Sequence, residues 1–393
     1  MTTNVKFDIS GCSSLIHKLA KRLALGSSAS CWYSKAVNDS VFLKPLTAPG
    51  RFVREKLQAK TSSLGNFLQL LSFLLTILLI ICFGLPQFAN DKSGLAIISL
   101  CGLGTWILGW LVGGKQERPL DALDFVVLLY LGANLIAAFS SHYFSPSLKG
   151  MAKVVIYIGT YFLFTSVLAG SVKKKLSLLA TLVLTSLALS IYGLYQYKIG
   201  VAPLATWEDP SLEVQATRIY ATLGNPNLLA GFLLPAVPIA CAFSAWFFAK
   251  RNFVKAIASL LVVALISLAT VLTGSRGGYL GLFAGLFVFG STIFIYVWSK
   301  KPKLKIALTA TVLTLILAAG LGLSKVPSFA SRVESMFSGR EHSSNSYRLN
   351  VYDSSWKMFK DNWWFGTGTG NETFVRAYGL YMVSGYDALG TYS

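Results

Sequence analysis

The chain has 393 residues, of which 54% are hydrophobic and only 13% charged. An ordinary soluble domain of this size does not tolerate that balance, so the composition points to a polytopic membrane protein. The formal net charge of +19 is explained by topology and calls for no nucleic acid partner, because nothing in the chain resembles a nucleic-acid-binding module.

Residues 1–65 are rich in Lys, Arg and Ser and contain no apolar core of the length a secretory signal needs, so this basic segment is expected to remain in the cytoplasm. Within it Leu15, Ile16, Leu19 and Leu23 recur at helical spacing with Lys18, Lys21 and Arg22 between them. That pattern fits a short amphipathic helix on anionic lipid and equally a solvated tail. Runs of the roughly 20 residues needed to cross a bilayer follow near 67–85, 94–112, 122–140, 152–170, 176–197, 227–248, 255–273, 278–298 and 304–324. The predicted fold is therefore an all-α polytopic membrane protein, with about nine transmembrane helices in a bundle over 66–324.

Connections on alternate sides differ in charge. Lys115 and Arg118, then Lys173 to Lys175, then Lys250, Arg251 and Lys255, then Lys300, Lys301, Lys303 and Lys305 fall on one side with the basic N-terminus, which marks it as cytoplasmic. The plasma (inner) membrane is the expected location. The same parity places 200–226, the turn 274–278 and the whole of 325–393 outside. This last stretch is a large extracytoplasmic loop region, polar and aromatic, within which Tyr352 to Phe359 (YDSSWKMF) predicts an interfacial helix. Glycines and mixed charge over 325–350 predict a mobile cover for a surface groove.

Five cysteines show no zinc or redox spacing, and Cys82, Cys101 and Cys241 read as small hydrophobes in apolar runs. His17, His142 and His342 are too scattered for a metal site. No metal or cofactor is predicted.

One stretch begins a membrane helix oddly: RIYATLGNPNLLAGFLLPAV, Arg218 to Val237. Asn225 suits an N-cap and Pro226 the first helical position, so the turn starts the sixth span. Unpaired backbone N–H groups and the positive end of the helix dipole, with Arg218 upstream, then make a mouth suited to an anion. The competing reading is a plain cap with Arg218 snorkelling to lipid phosphate. Pro235 and Pro238 should kink the helix. A second cation, Arg276, stands in LTGSRGGYLG between the seventh and eighth spans, where Gly277 and Gly278 suffice to turn the chain and the arginine is not required by it. A charge there is costly unless it snorkels or is paired, which makes it a site candidate with the neighbouring Ser275. Two guanidiniums on one face could clamp a diphosphate bidentately. Asp121 and Asp124, at the start of the third span, are accounted for by the helix dipole. Glu208, Asp209 and Glu213 lie in the outer loop, where one could act as a base.

Arg218 with GNPNLLAGFLLP, then LTGSRGG, then Tyr347-Arg348, Trp356, Met358 and FGTGTGNETF at 365–374 resemble, in that order, the O-antigen ligase and polymerase superfamily. More closely the chain resembles its cyanobacterial IctB-type branch, to which bicarbonate transport has been ascribed. The resemblance covers roughly 65–393. It implies a bundle of about a dozen helices that transfers glycan from a polyprenyl diphosphate carrier to an acceptor. The implied diphosphate ligands are Arg218 and Arg276, with Arg348 a further one, and Asn225, Asn227 and Ser275 beside them. The chain departs from the family where ligases carry a histidine near the far end of the loop and this chain has Tyr392. It also stops at Ser393, before the family's last spans, and so looks C-terminally truncated. Two functions follow: metal-independent transfer of a lipid-linked glycan at the outer face, or transport of a small anion, bicarbonate. In either case membrane lipid surrounds the site.

Overall fold

The computed structural model describes residues 62–86, 93–112, 122–169, 171–202, 217–300 and 343–382. Among them the regular structure is helical throughout: α1 (Ser62–Phe83), α2 (Ser93–Leu111), α3 (Ala122–Phe139), α4 (Phe144–Ala169), α5 (Val172–Ile199), α6 (Pro226–Leu233), α7 (Ala236–Ala249), α8 (Phe253–Leu272), α9 (Arg276–Lys300), α10 (Ser343–Asp361) and α11 (Asn371–Tyr378). Six stretches are long and apolar enough to cross a membrane: α1, α2, α4, α5, α8, and α6 with α7 taken together over Pro226–Ala249. Leu123–Phe139 is a shorter apolar helix. The chain is an all-α, multi-pass membrane protein, and each predicted run up to the eighth falls on a described helix. The ninth, 304–324, lies outside the described residues, as do residues 1–61, the acidic stretch 208–213 and most of 325–350.

Two boundaries moved for clear reasons. The fourth helix starts at Phe144 instead of near 152, because Ser145, Ser147, Lys149 and Gly150 dilute the hydropathy of a segment that is nonetheless helical, and Pro146 is tolerated in a first turn. The sixth span breaks where its prolines predict: α6 ends at Leu233, the chain turns through Leu234 and Pro235, and α7 resumes at Ala236.

The described residues belong to two compact units. The first holds the end of α1 from Ile80, α5 from Leu176, and α6 to α9. Its core gathers Val183 and Leu189 from α5, Ile219, Ala221 and Leu223 from the segment before α6, Leu229 and Leu233 from α6, Ala236, Val237 and Ala240 from α7, and Ile266 and Ala269 from α8. Phe83 stacks on Phe232 with ring centroids 5.2 Å apart. Lipid-facing flanks are apolar too, with Val254, Leu261 and Phe287 exposed, so burial rather than polarity separates the inside of this unit from its outside.

The second unit holds most of α1, α2 to α4, α10 and α11. Here helices approach through small residues: a Cβ on Gly102 would lie 2.9 Å from Leu163, one on Gly159 2.8 Å from Leu103, and one on Gly109 3.1 Å from the Gly65 carbonyl. Hydroxyls fasten the contacts, Ser72 donating to the Gly102 carbonyl (2.9 Å) and Thr76 back to Ser72 (2.8 Å). Asp124 is wholly buried and accepts from the Tyr161 hydroxyl at 2.9 Å. The dipole at the start of α3 is therefore not the whole account of this carboxylate, since a buried acid also needs a specific donor.

Candidate functional site

The sequence stretch that begins with Arg218 is held in place before it becomes a helix. Ile219 donates its backbone N–H to the Leu272 carbonyl (3.2 Å) and Thr222 its hydroxyl to the Gly84 carbonyl (2.7 Å). Gln196, buried near the end of α5, closes the third side. Its Oε1 accepts from Tyr220 N (3.2 Å) and Ala221 N (2.7 Å), and its Nε2 donates to the Ala221 carbonyl (3.1 Å). Those three bonds secure Ala221 at φ 48°, left-handed backbone that an alanine adopts only at a cost of roughly 1–2 kcal/mol. A side chain on Gly193 would strike Ile219, its Cβ falling 2.8 Å from Ile219 Cδ1. The segment thus fits closely against α5.

The helix start is as the sequence predicts. Asn225 has φ −141° and ψ 125°, and its Oδ1 accepts from Asn227 N (2.8 Å) and Leu228 N (3.4 Å), with Pro226 opening α6. Asn225 is consequently committed as a cap, and Asn227 is exposed.

The turn between α8 and α9 differs from its sequence reading. Gly277 and Gly278 already lie inside α9, and the reversal is made by Thr273, Gly274 and Ser275, with Gly274 at φ 63° in the position where helices commonly end on glycine. Thr273, buried, donates its hydroxyl to the Thr270 carbonyl (2.7 Å) and accepts from Ser275 N (3.2 Å). Ser275 in turn caps α9, its Oγ accepting from Gly278 N at 3.2 Å. Gly278 is there for approach: a Cβ would lie 3.0 Å from that of Ala230 in α6. One turn on, Gly281 meets Leu234 in the same way. The N-termini of α6 and α9 therefore begin side by side at one end of this unit, and their positive dipole ends add.

Arg218 belongs to that end. Its Nε donates to the Thr273 carbonyl at 2.9 Å, and a Cβ on Gly274 would lie 3.0 Å from the same nitrogen. The guanidinium lies against the α8–α9 turn, where it also complements the negative end of the α8 dipole. Arg276 follows Gly274 by two residues, a separation of at most about 7 Å between Cα atoms. The structure sets Arg218 against the turn that holds Ser275 and leads into Arg276, while Asn225 caps α6. Arg348 is in the other unit, exposed on α10, and Tyr392 lies outside the described residues. One member of the end was not singled out in the sequence, Gln196, one amide in the apolar run SIYGLYQYKIG, whereas Gly274 fell within the predicted turn 274–278 without being identified as the residue that makes it. A lone amide inside a membrane helix was the available signal for Gln196.

Comparison with known proteins adds the following. Residues 261–390 match the O-antigen ligase family model, a stretch that contains Ser275, Arg276, Arg348 and the 365–374 motif but not Arg218. The teichuronic acid biosynthesis protein TuaE of Bacillus subtilis (strain 168) is 34% identical over 146 residues, covering 34% of this chain and 27% of its own length. The chain thus spans about a quarter of the relative it matches. No solved structure matches. Neither match singles out the IctB-type branch or bicarbonate. Over residues 261–390, this membrane protein is similar to the O-antigen ligase family.

Proposed function

We propose that the chain transfers glycan from a polyprenyl diphosphate carrier at the outer face of the plasma membrane, without a metal, and that Arg218 and Arg276 hold the diphosphate. The observation that carries this reading is the packing of Arg218 against the turn that leads into Arg276, at two helix N-termini that start side by side. Two guanidiniums and two dipole ends suit a group with more than one negative charge and several acceptor oxygens. They would act by stabilising the diphosphate as it departs, while a loop residue orients or deprotonates an acceptor hydroxyl. The matches to the O-antigen ligase family model and to a protein of teichuronic acid biosynthesis support ligase-type transfer over bicarbonate transport.

The test compares two anions on one protein. In nanodiscs, Arg276→Lys keeps the charge but loses the fork. It should weaken binding of a short-chain polyprenyl diphosphate roughly tenfold and that of bicarbonate much less. Equal losses for both would instead support the anion-transport reading attached to the IctB-type branch.

A further inference from the structure

The extramembrane helix α10 has three distinct faces. At about 100° per residue, Arg348, Tyr352, Trp356 and Phe359 share a sector of roughly 80°. All four are exposed. A second sector carries Asp353, Lys357, Lys360 and Asp361, also exposed, and a third carries the buried Ser354 and Met358 with the half-buried Asn362, against the rest of the unit. The helix therefore leaves an aromatic stripe uncovered, with Arg348 at one end of it and the Lys360 ammonium 5.7 Å from the Trp356 ring centre. At its end the stripe continues into Trp363, Trp364 and Phe365, exposed by 58%, 71% and 60%.

What covers the stripe follows from where this end of α10 is held. The glycine-rich loop after Phe365 is latched to the start of α4. Ser141 donates to the Thr367 carbonyl (2.6 Å), Thr369 N donates to Ser147 Oγ (2.8 Å), and Thr369 Oγ1 donates to the Ser147 carbonyl (2.7 Å). Gly150 lets the Thr369–Gly370 backbone rest directly on the helix. Now α4 has 26 residues, about 39 Å of helix, against a hydrocarbon core of about 30 Å. The polar residues Ser145, Ser147 and Lys149 assign that surplus to its first turns, which suits them to the headgroup layer. Trp364 is three residues from Thr367, no more than about 10 Å along the chain, so it is tethered to that layer.

We propose that the aromatic stripe of α10, with the Trp363-Trp364-Phe365 turn, seats on the phospholipid headgroups of the membrane that the protein spans. Tryptophan and tyrosine favour that depth, Phe359 and Phe365 enter the acyl boundary, and Arg348 at the other end of the stripe pairs with lipid phosphate. Asp353 and Lys357 face water. A glycan platform is the competing occupant, but the two phenylalanines and the cations Arg348 and Lys360 beside the stripe suit an anionic phospholipid surface better. The proposal stands independently of the ligase reading.

The test uses the full chain in phosphatidylcholine–phosphatidylglycerol vesicles. Spin labels at Tyr352→Cys and Asp353→Cys, adjacent in sequence but in different sectors, should differ: the oxygen-to-nickel accessibility ratio should be several-fold higher at 352. Equal, water-like ratios overturn the proposal, as does immobilisation of the 352 label by soluble oligosaccharide. Both sites are exposed on the helix, so folding is not at stake. A second measurement takes the fluorescence difference between the parent chain and its Trp356→Ser, Trp363→Ser, Trp364→Ser variant. That component should be quenched by lipids brominated near the headgroup end of the acyl chain. Quenching by aqueous iodide alone overturns the proposal.

Discussion

Gln196 shows how a single side chain in a membrane helix can determine a site it does not touch with charge. A buried primary amide has both donors and acceptors to satisfy, and here one oxygen and one nitrogen meet the backbone of Tyr220 and Ala221. That exchange fixes the segment carrying Arg218 and holds Ala221 left-handed. Gln196→Ala leaves the Tyr220 and Ala221 N–H groups and the Ala221 carbonyl without these partners, at about 1–3 kcal/mol for each buried group not rescued by water. The expected outcome is a drop in melting temperature in detergent, and a loss of diphosphate binding in any fraction that stays folded. Unchanged melting and binding would mean that the amide is incidental. This residue was present in the sequence as an isolated polar group in an apolar run, but its partner lies 25 residues on in an irregular segment, beyond the reach of any helical periodicity. Asn225 was legible for the opposite reason: its partners are its own neighbours, two and three residues away.

At the scale of elements, hydropathy located the spans and proline located the break between α6 and α7. Caps and kinks are local, so spacing carries them. The 365–370 motif was legible only as a resemblance. Its physical role depends on Ser141, Ser147 and Gly150, more than 200 residues earlier, which read as nothing but a polar start to a helix. Three glycines in the motif have positive φ, Gly366 (70°), Gly368 (122°) and Gly370 (91°). Gly368 and Gly370 also approach other residues too closely for a side chain, Ser147 and Gly150 among them. The latch is thus a backbone-to-backbone fit that a single methyl group would disrupt. Gly150→Val should release it, because the new side chain meets the Thr369–Gly370 backbone directly, where no rotamer can yield. Amide exchange should rise over 365–378 while α1 and α2, packed through Gly102 and Gly109, keep their protection. Equal exchange in the loop of the variant and the parent would show that the loop is held by something else.

Over the whole molecule, charge asymmetry assigns sides, and the latch provides a check that hydropathy does not. Counted from the sequence, the fourth to ninth runs separate Ser147 from Thr369. That is six crossings, an even number, so the two residues belong on one face. The hydrogen bonds between them (2.7 and 2.8 Å) require one face as well. The clusters at Lys173 to Lys175 and Lys250 to Lys255 predict that the opposite face is the cytoplasmic one. His142 and Lys173 flank α4 and are both exposed, so they report its two ends. In intact cells, a membrane-impermeant thiol reagent should label His142→Cys and Asp353→Cys, and it should reach Lys173→Cys only after the membrane is opened, with the parent chain as the control for its own cysteines. Labelling of Lys173→Cys from outside with His142→Cys protected would invert the orientation and move the arginine end to the cytoplasm. Labelling of His142→Cys and Asp353→Cys from opposite sides would be more damaging, since it would remove both the latch and the lipid seat of α10 that rests on it.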